Sequence, residues 1–384
     1  MADGAPTSIF VGVETGAQSV SLGDAVVRLE IEDHDRLVDE ARVTLADSFD
    51  LAGAHLANGH AITIWLGWEG ERVKMFTGTV VQIGGEVGAG ATSGGTTIVA
   101  HDLSARMQAA NNNFAAEPGE KLSDLVTRIA SRHRGTIHMG EIECQPDPTF
   151  ERANLPRQLA RSDYEFLQDL ARTWGARCFV EINDDQPKFY FKSIQSLWAA
   201  DPLGQLDLCR GRGAITSFRY ERIAARATRQ LVTAAIDPVS GATVRGDSGP
   251  TTPPAPAAGR LSSSVTEIEP GLARANDTLA TATASAVAEP PPPATIRGRS
   301  SDPARARSYV VVDPTQALGL KGEVRAVGHV ELRAKGRVTL IGMAPWAEGD
   351  WWIKRVTHTF TPARPTATPP RPTATYECQL EVTR

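Results

Sequence analysis

The chain has 384 residues, of which 41% are hydrophobic and 22% charged, with a formal net charge of -5. That length exceeds what one core ordinarily organises and points to two or more domains. Acids and bases are interspersed with no basic stripe, which excludes a phosphate-backbone binder, and no apolar run approaches the roughly 20 residues that span a bilayer.

From Met1 to Gly23 there is no basic run followed by an apolar stretch, so no secretory signal is expected and the chain should be made in the cytoplasm. Residues 1–110 then read as β. Val26 to Ile31 and Ala41 to Leu45 alternate apolar and polar residues. Ile62 to Leu66 follows, then a turn at Gly67 to Gly70 and a long strand from Val73 to Ile83. A glycine-rich loop, Gly84 to Gly95, leads back to Thr97–Ala100. Evenly spaced strands with glycine turns and no helix predict a sandwich or barrel.

The pattern changes at Asn111, and residues 111–208 read as an α+β middle section. Leu122, Leu125, Val126, Ile129 and Ala130 recur at helical spacing and predict a helix over 120–133. A second helix is predicted over 163–174. Ser162 and Glu165 form an S-x-x-E capping box there, Phe166, Leu167, Leu170, Ala171 and Trp174 make one apolar stripe, and Gly175 suits the left-handed C-terminal position. A hairpin over 176–192 turns at Asn183-Asp184-Asp185.

Strands resume at Ile215 to Tyr220 and at Thr228 to Ile236, ending in the turn Asp237 to Gly241. Residues 246–307 are rich in Pro, Ala, Thr and Ser and read as a linker or insertion, with one Ala-rich piece, Leu272 to Val287, able to form a short helix. Strand patterns return at Val324 to Leu332, Arg337 to Ile341, Trp351 to Phe360 and Thr375 to Val382. Residues 209–245 and 308–384 are therefore assigned together to a second β-barrel. The two β regions also echo each other. A strand at Ile62 to Leu66 meets a Gly-Glu turn, a long strand, a low-complexity loop and the strand at Ile98. A strand at Val338 to Ile341 meets Glu348-Gly349-Asp350, a long strand, a loop and Tyr376 to Val382. Strand order, turn position and loop character agree, which predicts an internal duplication of one barrel.

The same residues carry a family resemblance. Arg157-Gln158-Leu159-Ala160-Arg161-Ser162-Asp163-Tyr164-Glu165-Phe166-Leu167, with Leu170-Ala171 and Gly175, resembles the Q-x-x-x-S-D-x-x-F-L-x-x-L-A signature of the phage late control protein D family, which includes tail hub proteins and the hub portion of VgrG spikes. Ala100-His101-Asp102-Leu103, Gly119 to Val126, Ala234 to Gly241, and the ending Val356-Thr357-His358 with Tyr376 and Leu380 to Arg384 are similar to further motifs of that family, in the same order. Two positions depart from it: Arg161 stands where Glu is usual and Asp169 where Arg is frequent. Residues 246–307 and Pro362 to Pro372 stand as insertions. The resemblance implies a mainly β fold with two related, tube-forming β-barrels flanking small α/β subdomains. It implies a structural baseplate hub of a phage tail or contractile injection system, working as a homotrimer. Its ring of pseudo-sixfold symmetry would adapt a sixfold inner tube to a threefold spike. The implied partners are the spike protein, the inner tube or tube-initiator protein and other baseplate proteins, with no nucleic acid and no membrane insertion. No β-helix needle follows the second barrel, so the spike is expected to be a separate protein.

No catalytic, cofactor-binding or metal residue is assigned, and no cofactor. Asp163 and Glu165 could suggest paired carboxylates, but i and i+2 point to different sides of a helix and capping accounts for Glu165. Asp184-Asp185 suits a hairpin turn and lacks the further oxygen ligands that calcium requires. His133 and His138 do not share a helical face, and His358 is read as a packing or hydrogen-bonding residue. Gly84 to Gly95 lacks the Lys-Ser/Thr ending of a phosphate loop. Cys144, Cys178, Cys209 and Cys378 form no CxxC pair and read as buried thiols. Gly119 to Met139 has the look of a LysM-type glycan-binding piece. The alternative function is accordingly a tail-associated protein that binds or degrades peptidoglycan.

Overall fold

Alternation along single strands sets the architecture. In β4 (Glu40–Leu45), Ala41, Val43 and Leu45 are fully buried while Glu40, Arg42 and Thr44 point away from the core. Fully burying one such aliphatic side chain contributes about 1.5–3 kcal/mol, so one face of each strand must find a partner surface. The structure is a computed structural model that describes residues 10–15, 18–46, 56–68, 71–86, 95–152, 155–208, 214–222, 232–236, 243–247, 295–299, 320–363 and 374–384.

The first half supplies β1 (Phe10–Thr15), β2 (Gln18–Ser21), β3 (Val26–His34), β4, β5 (Ala61–Trp68), β6 (Glu71–Glu86) and β7 (Gly95–Asp102). They lie side by side in the order β3-β4-β7-β6-β5-β1-β2. The last part of the chain, with β13 (Gln205–Leu208) and β14 (Ala214–Arg222), adds β18 (Leu320–Val327), β19 (Arg337–Ile341), β20 (Gly349–Thr361) and β21 (Thr375–Thr383). Their order is β19-β13-β14-β18-β21-β20, and a β19–β20 pairing closes it into a six-stranded barrel. The first-half sheet is joined to this barrel through β3 and β20, and no strand pairing among the described residues closes it separately.

The duplication expected from the sequence is visible strand by strand. Taken in chain order, β3, β4, β5, β6 and β7 pair as first-second-fifth-fourth-third, and so do β14, β18, β19, β20 and β21, all antiparallel. Two bulges coincide as well. The β6–β7 ladder slips between Val80 and Gln82, and the β20–β21 ladder between Ile353 and Arg355. The β3–β4 ladder slips between Val26 and Arg28, and the β14–β18 ladder between Ile215 and Ser217. A bulge re-aims a strand at one fixed position, so matched bulges are a sharper sign of common descent than strand order. With the bulges superposed, Val80 falls on Ile353, Ile98 on Leu380, Ala100 on Val382, Val43 on Val324 and Ile62 on Val338, and every one of these is buried. Both halves share one hydrophobic core.

The middle section builds a second core. It holds β8 (Asn111–Ala115), α1 (Leu122–Ala130), β9 (His138–Glu143), β10 (Arg157–Ser162), α2 (Asp163–Thr173), β11 (Ala176–Asn183), β12 (Gln186–Ser193) and α3 (Ile194–Ala199). α1 is shorter than predicted and continues as a 3-10 turn, Ser131–His133. α2 begins with the expected reciprocal capping box of Ser162 and Glu165 and ends at Trp174, with Gly175 at φ 63°. The β11–β12 hairpin turns through Asp184 and Asp185 at φ 53° and 60°, the pair of left-handed residues of a type I′ turn. Trp351 and Trp352 point to opposite faces of β20. Trp351 enters the barrel core, while Trp352 leaves it to stack on Trp198 of α3 at 5.9 Å.

Several expectations change. Gln205–Leu208, assigned to the middle section, pairs in parallel with β14 and β19 and completes the barrel. β15 (Val232–Ile236) and β16 (Thr243–Asp247), assigned to the second barrel, instead form a separate sheet with β17 (Thr295–Arg299), which lies inside the stretch read as linker. The β-branched Thr295 and Ile296 suit a strand even beside low-complexity sequence. The strand predicted to run to Leu332 stops at Val327. Beyond it Val330, Leu332 and Ala334 are buried from an irregular plug segment, the first two in the shared core, which mimics strand alternation without a ladder. The Ala-rich piece 272–287 and the loop 364–373 lie outside the described residues.

If the two units are copies, equivalent core positions should respond alike. Ile98→Ala and Leu380→Ala are each expected to lower unfolding stability by about 2–5 kcal/mol. Urea denaturation checks this, and an unshifted midpoint for either variant contradicts the equivalence.

Candidate assembly interface

Among the described residues, strand pairing between the two copies runs through one antiparallel ladder. β20 lies against β3 from Arg355 opposite His34 to Phe360 opposite Leu29. Side chains on one face of this ladder stay polar. Arg355 reaches Glu32 at 3.5 Å and also pairs with Glu381, Arg28 pairs with Glu30 at 2.6 Å and Arg42 with Glu40 at 3.0 Å. Exposed pairs of this kind add little stability. They do give the joined sheet a face of mixed charge without a dominant sign.

The opposite face is dry. His358 is buried opposite Ile31, with Nε2 at 3.0 Å from the Leu332 carbonyl oxygen and Nδ1 at 2.8 Å from the Tyr376 hydroxyl. A carbonyl only accepts, so Nε2 carries the proton and the tyrosine donates to Nδ1. Burial pushes the imidazole down to about 3 and the neighbouring Cys378 thiol up to about 12. The thiol lies 3.2 Å from the same Nδ1 and accepts from the His329 amide at 3.3 Å, so a neutral histidine and an un-ionised thiol tie β20, β21 and the segment after β18 together in a buried site.

Beside this ladder sits an ion cluster that sequence patterns did not reveal. Lys335, at φ 68° on the plug segment, donates from Nζ to Asp33 at the end of β3 and lies 3.5 Å from Asp39. Asp33 also accepts from the Ala334 amide at 2.9 Å. The lysine lies over the Phe179 ring of β11 at 5.1 Å, and Arg333 meets Glu181 of the same strand at 3.3 Å. Arg177 of β11 pairs with Asp35 at 3.3 Å. Three parts of the chain thus converge: β3, the segment before β19, and the middle section. A cavity of about 30 Å3 among Asp33, Asp39, Asp102, Glu181 and Arg333 has room for about one water.

The charges of this cluster are unequal. Burial pushes the Asp33 carboxyl up, but Lys335 outweighs it and holds Asp33 below the usual range. Burial opposes the charge of Lys335, but Asp33, Asp39 and Glu181 outweigh it and raise its pKa. Asp39 is driven well up by burial and by the charge of Asp33, and burial carries Asp102 to about 7. A buried ion pair adds little net stability, but losing one partner leaves a stranded charge. The cluster therefore acts as a lock on how the three parts fit.

The residues singled out earlier are dispersed. Asp163 is buried and accepts from Gln158 at 2.9 Å, Asn112 at 3.0 Å and Arg132 at 3.0 Å, with His133 Nε2 also at 3.0 Å. Burial would raise its pKa, yet these hydrogen bonds and the Arg132 charge hold it below the usual range. It anchors α2 to β8, β10 and the turn after α1. Glu165 is occupied by the cap. Asp184 pairs with Lys188 at 2.6 Å, and His138 is exposed on β9, away from His133. The helix and strand that suggested a glycan-binding piece belong to the middle core, because β9 pairs in parallel with β12. Arg161 and Asp169, the two departures from the family pattern, pair with each other, and Arg172 joins Asp169 at 3.1 Å. Cys144, Cys178 and Cys378 are free thiols, while Cys209 and residues 87–94 lie outside the described residues. No helix among the described residues is long and apolar enough to cross a membrane.

No protein-family model and no curated protein matches this sequence. Solved structures do match its fold. A tail protein from Neisseria meningitidis MC58 is similar with a TM-score of 0.59 and 12% identity, over 98% of this chain and 97% of that one. The 43 kDa tail protein of prophage MuSo2 from Shewanella oneidensis has a TM-score of 0.58 and 12% identity, over 98% of both chains. The E. coli c3393 protein has a TM-score of 0.53 and 12% identity, over 97% of this chain and 76% of that one. It is a type VI secretion component described as structurally similar to the T4 tail proteins gp27 and gp5. The mainly β fold with its α+β middle section is therefore that of phage tail and type VI secretion proteins.

Two outcomes test the cluster. Lys335→Met should cost about 3–5 kcal/mol by stranding Asp33, and adding Asp33→Asn should recover part of the loss in a double-mutant cycle. Thermal or urea unfolding reads both, and no recovery contradicts the pairing. For Asp102, the carboxyl ionises near 3.8 in an unfolded chain and near 7 here, so folding favours its protonated form. The stability it contributes is full below the lower value and is lost as pH rises through that window toward 7. Asp102→Asn should flatten this loss, and a variant whose unfolding midpoint falls as steeply between pH 4 and 7 as the parent's contradicts it.

Proposed function

We propose that this chain is a structural baseplate hub of a phage tail or contractile injection system, three copies of which form a ring. The observation that carries this reading is the duplication: two β units of one order and one bulge pattern, joined edge to edge in one chain. Repeating that junction between chains places six similar units around one axis, while the true symmetry stays threefold. Such a ring can meet a sixfold tube on one side and a threefold spike on the other. The spike, the tube or tube-initiator protein and other baseplate proteins are the partners, and the likeness to tail and type VI secretion proteins supports them.

In this reading the protein does no chemistry. The buried histidine, thiols and carboxylates each serve a packing or hydrogen-bonding role. The mixed-charge face of the joined sheet lines the ring's channel, where a surface without a dominant sign lets a passing protein slide without sticking.

Native mass measurement of the full chain with its spike protein tests the assembly. A 3:3 complex is expected, and a chain that stays monomeric with its partner present contradicts the proposal. A peptidoglycan zymogram of the full chain tests the absence of chemistry, and reproducible clearing would overturn it.

A further inference from the structure

The two hydrophobic cores are separate, and the seam where the β11–β12 hairpin of the middle section seats against the first unit is polar at its centre. The small cavity lies on that seam. Ile31 of β3 with Met75 and Phe76 of β6 wall it on one side, and Val180, Ile182 and Pro187 of the hairpin on the other. Four carboxyls border it: Asp33, Asp39 and Asp102 from the first unit and Glu181 from the hairpin. Two cations answer them, Lys335 and Arg333, both on the plug segment.

Charge at this seam does not balance by itself. Lys335 binds Asp33 and lies 3.5 Å from Asp39, and Arg333 meets Glu181 at 3.3 Å. Asp102 is held by the Ser104 hydroxyl at 2.6 Å. With every carboxyl ionised, the closed seam would hold two negative charges in excess, around a space with room for about one water. Uncompensated charge costs most where water is scarce, so protons make up the difference. Burial and the charge of Asp33 accordingly drive Asp39 well up, burial carries Asp102 to about 7, and burial also raises Glu181.

We infer that this seam is a proton-loaded joint: with its carboxyls protonated the joined sheet grips the middle section, and loss of those protons frees it while the barrel stays folded. The inference concerns the single chain and stands apart from the ring reading. On ionisation, Asp39 and Asp102 on one side of the seam repel Glu181 on the other. An opened seam returns Asp39 and Asp102 to the ordinary carboxyl range near 3.8, so opening releases their protons. The grip is therefore full below 3.8. It weakens by about tenfold per pH unit for each proton released, until pH passes the closed-state value, about 7 for Asp102.

The other groups facing the seam do not offset this. Arg177 and Asp35 neutralise each other across it at 3.3 Å. Burial keeps Tyr164 and Cys178 un-ionised and pushes His358 down to about 3. Lys74 of β6 donates to the Asp185 carbonyl at 2.8 Å, and His101 meets Glu40 at 3.7 Å on the outer face. His34 lies 3.5 Å from Asp35, and histidine is the residue type that changes charge in this window, so substitution at Asp39 and Asp102 must separate its share.

Hydrogen exchange of the full chain at pH 5, 6, 7 and 8, corrected for the intrinsic pH dependence of amide exchange, tests the joint. Protection across the hairpin, residues 176–193, should fall by about tenfold or more per pH unit between pH 5 and 7. Protection across β18 and β21 should hold over the same range. Asp39→Asn combined with Asp102→Asn keeps neutral side chains of the same shape, so the hairpin should be as protected at pH 8 as at pH 5. Asp102→Asn alone, for use if the double variant does not fold, should remove one proton's share of the slope. Three results overturn the inference: corrected protection that does not change with pH, an equal fall across β18 and β21, or a slope that the substitutions leave unchanged.

Discussion

Backbone N–H and C=O groups along a strand edge must be satisfied, and in this protein that requirement does most of the organising. The β20–β3 ladder satisfies one pair of edges inside the chain and so turns two small units into one continuous sheet. Everything else supports that join. The plug segment carries Leu332 and Lys335 to it, and His358 ties β20 to Tyr376 on β21 and to Leu332 across the same spot. The middle section reaches the join from outside through Phe179 and Glu181.

The energetic division of labour is clear. Apolar burial on the inner faces provides the stabilisation, since one core runs through both units. The Asp33–Lys335 pair adds specificity instead, because only one fit of the three parts leaves no charge unpartnered. Surface ion pairs on the outer face keep that face wet and of mixed sign. Arg161 and Asp169 form another such pair on the surface of the middle section.

Much of this was legible in the sequence for local reasons. Period-2 runs such as Ala41-Arg42-Val43 marked half-buried strands, Ser162 and Glu165 marked a helix start, and Gly175 its end. The duplication was legible because turn and loop positions repeat even where identities do not. Other features depend on tertiary context. Arg157–Ser162 shows no alternation, since Ala160 at φ 48° interrupts the strand with a bulge against β8. Val330, Leu332 and Ala334 alternate like a strand but are buried from an irregular segment, the first two in the core shared with the barrel. Asp33 and Lys335 are separated by 302 positions, and nothing local announces that they meet.

One junction, used once inside the chain, is proposed to be used again between chains. End-on electron micrographs of the purified full chain with its spike protein test it most directly. The account predicts closed rings of three copies whose averages show six lobes of two alternating kinds, with a continuous sheet around the channel. Rings with another number of lobes, or three copies meeting through the middle sections, would contradict it.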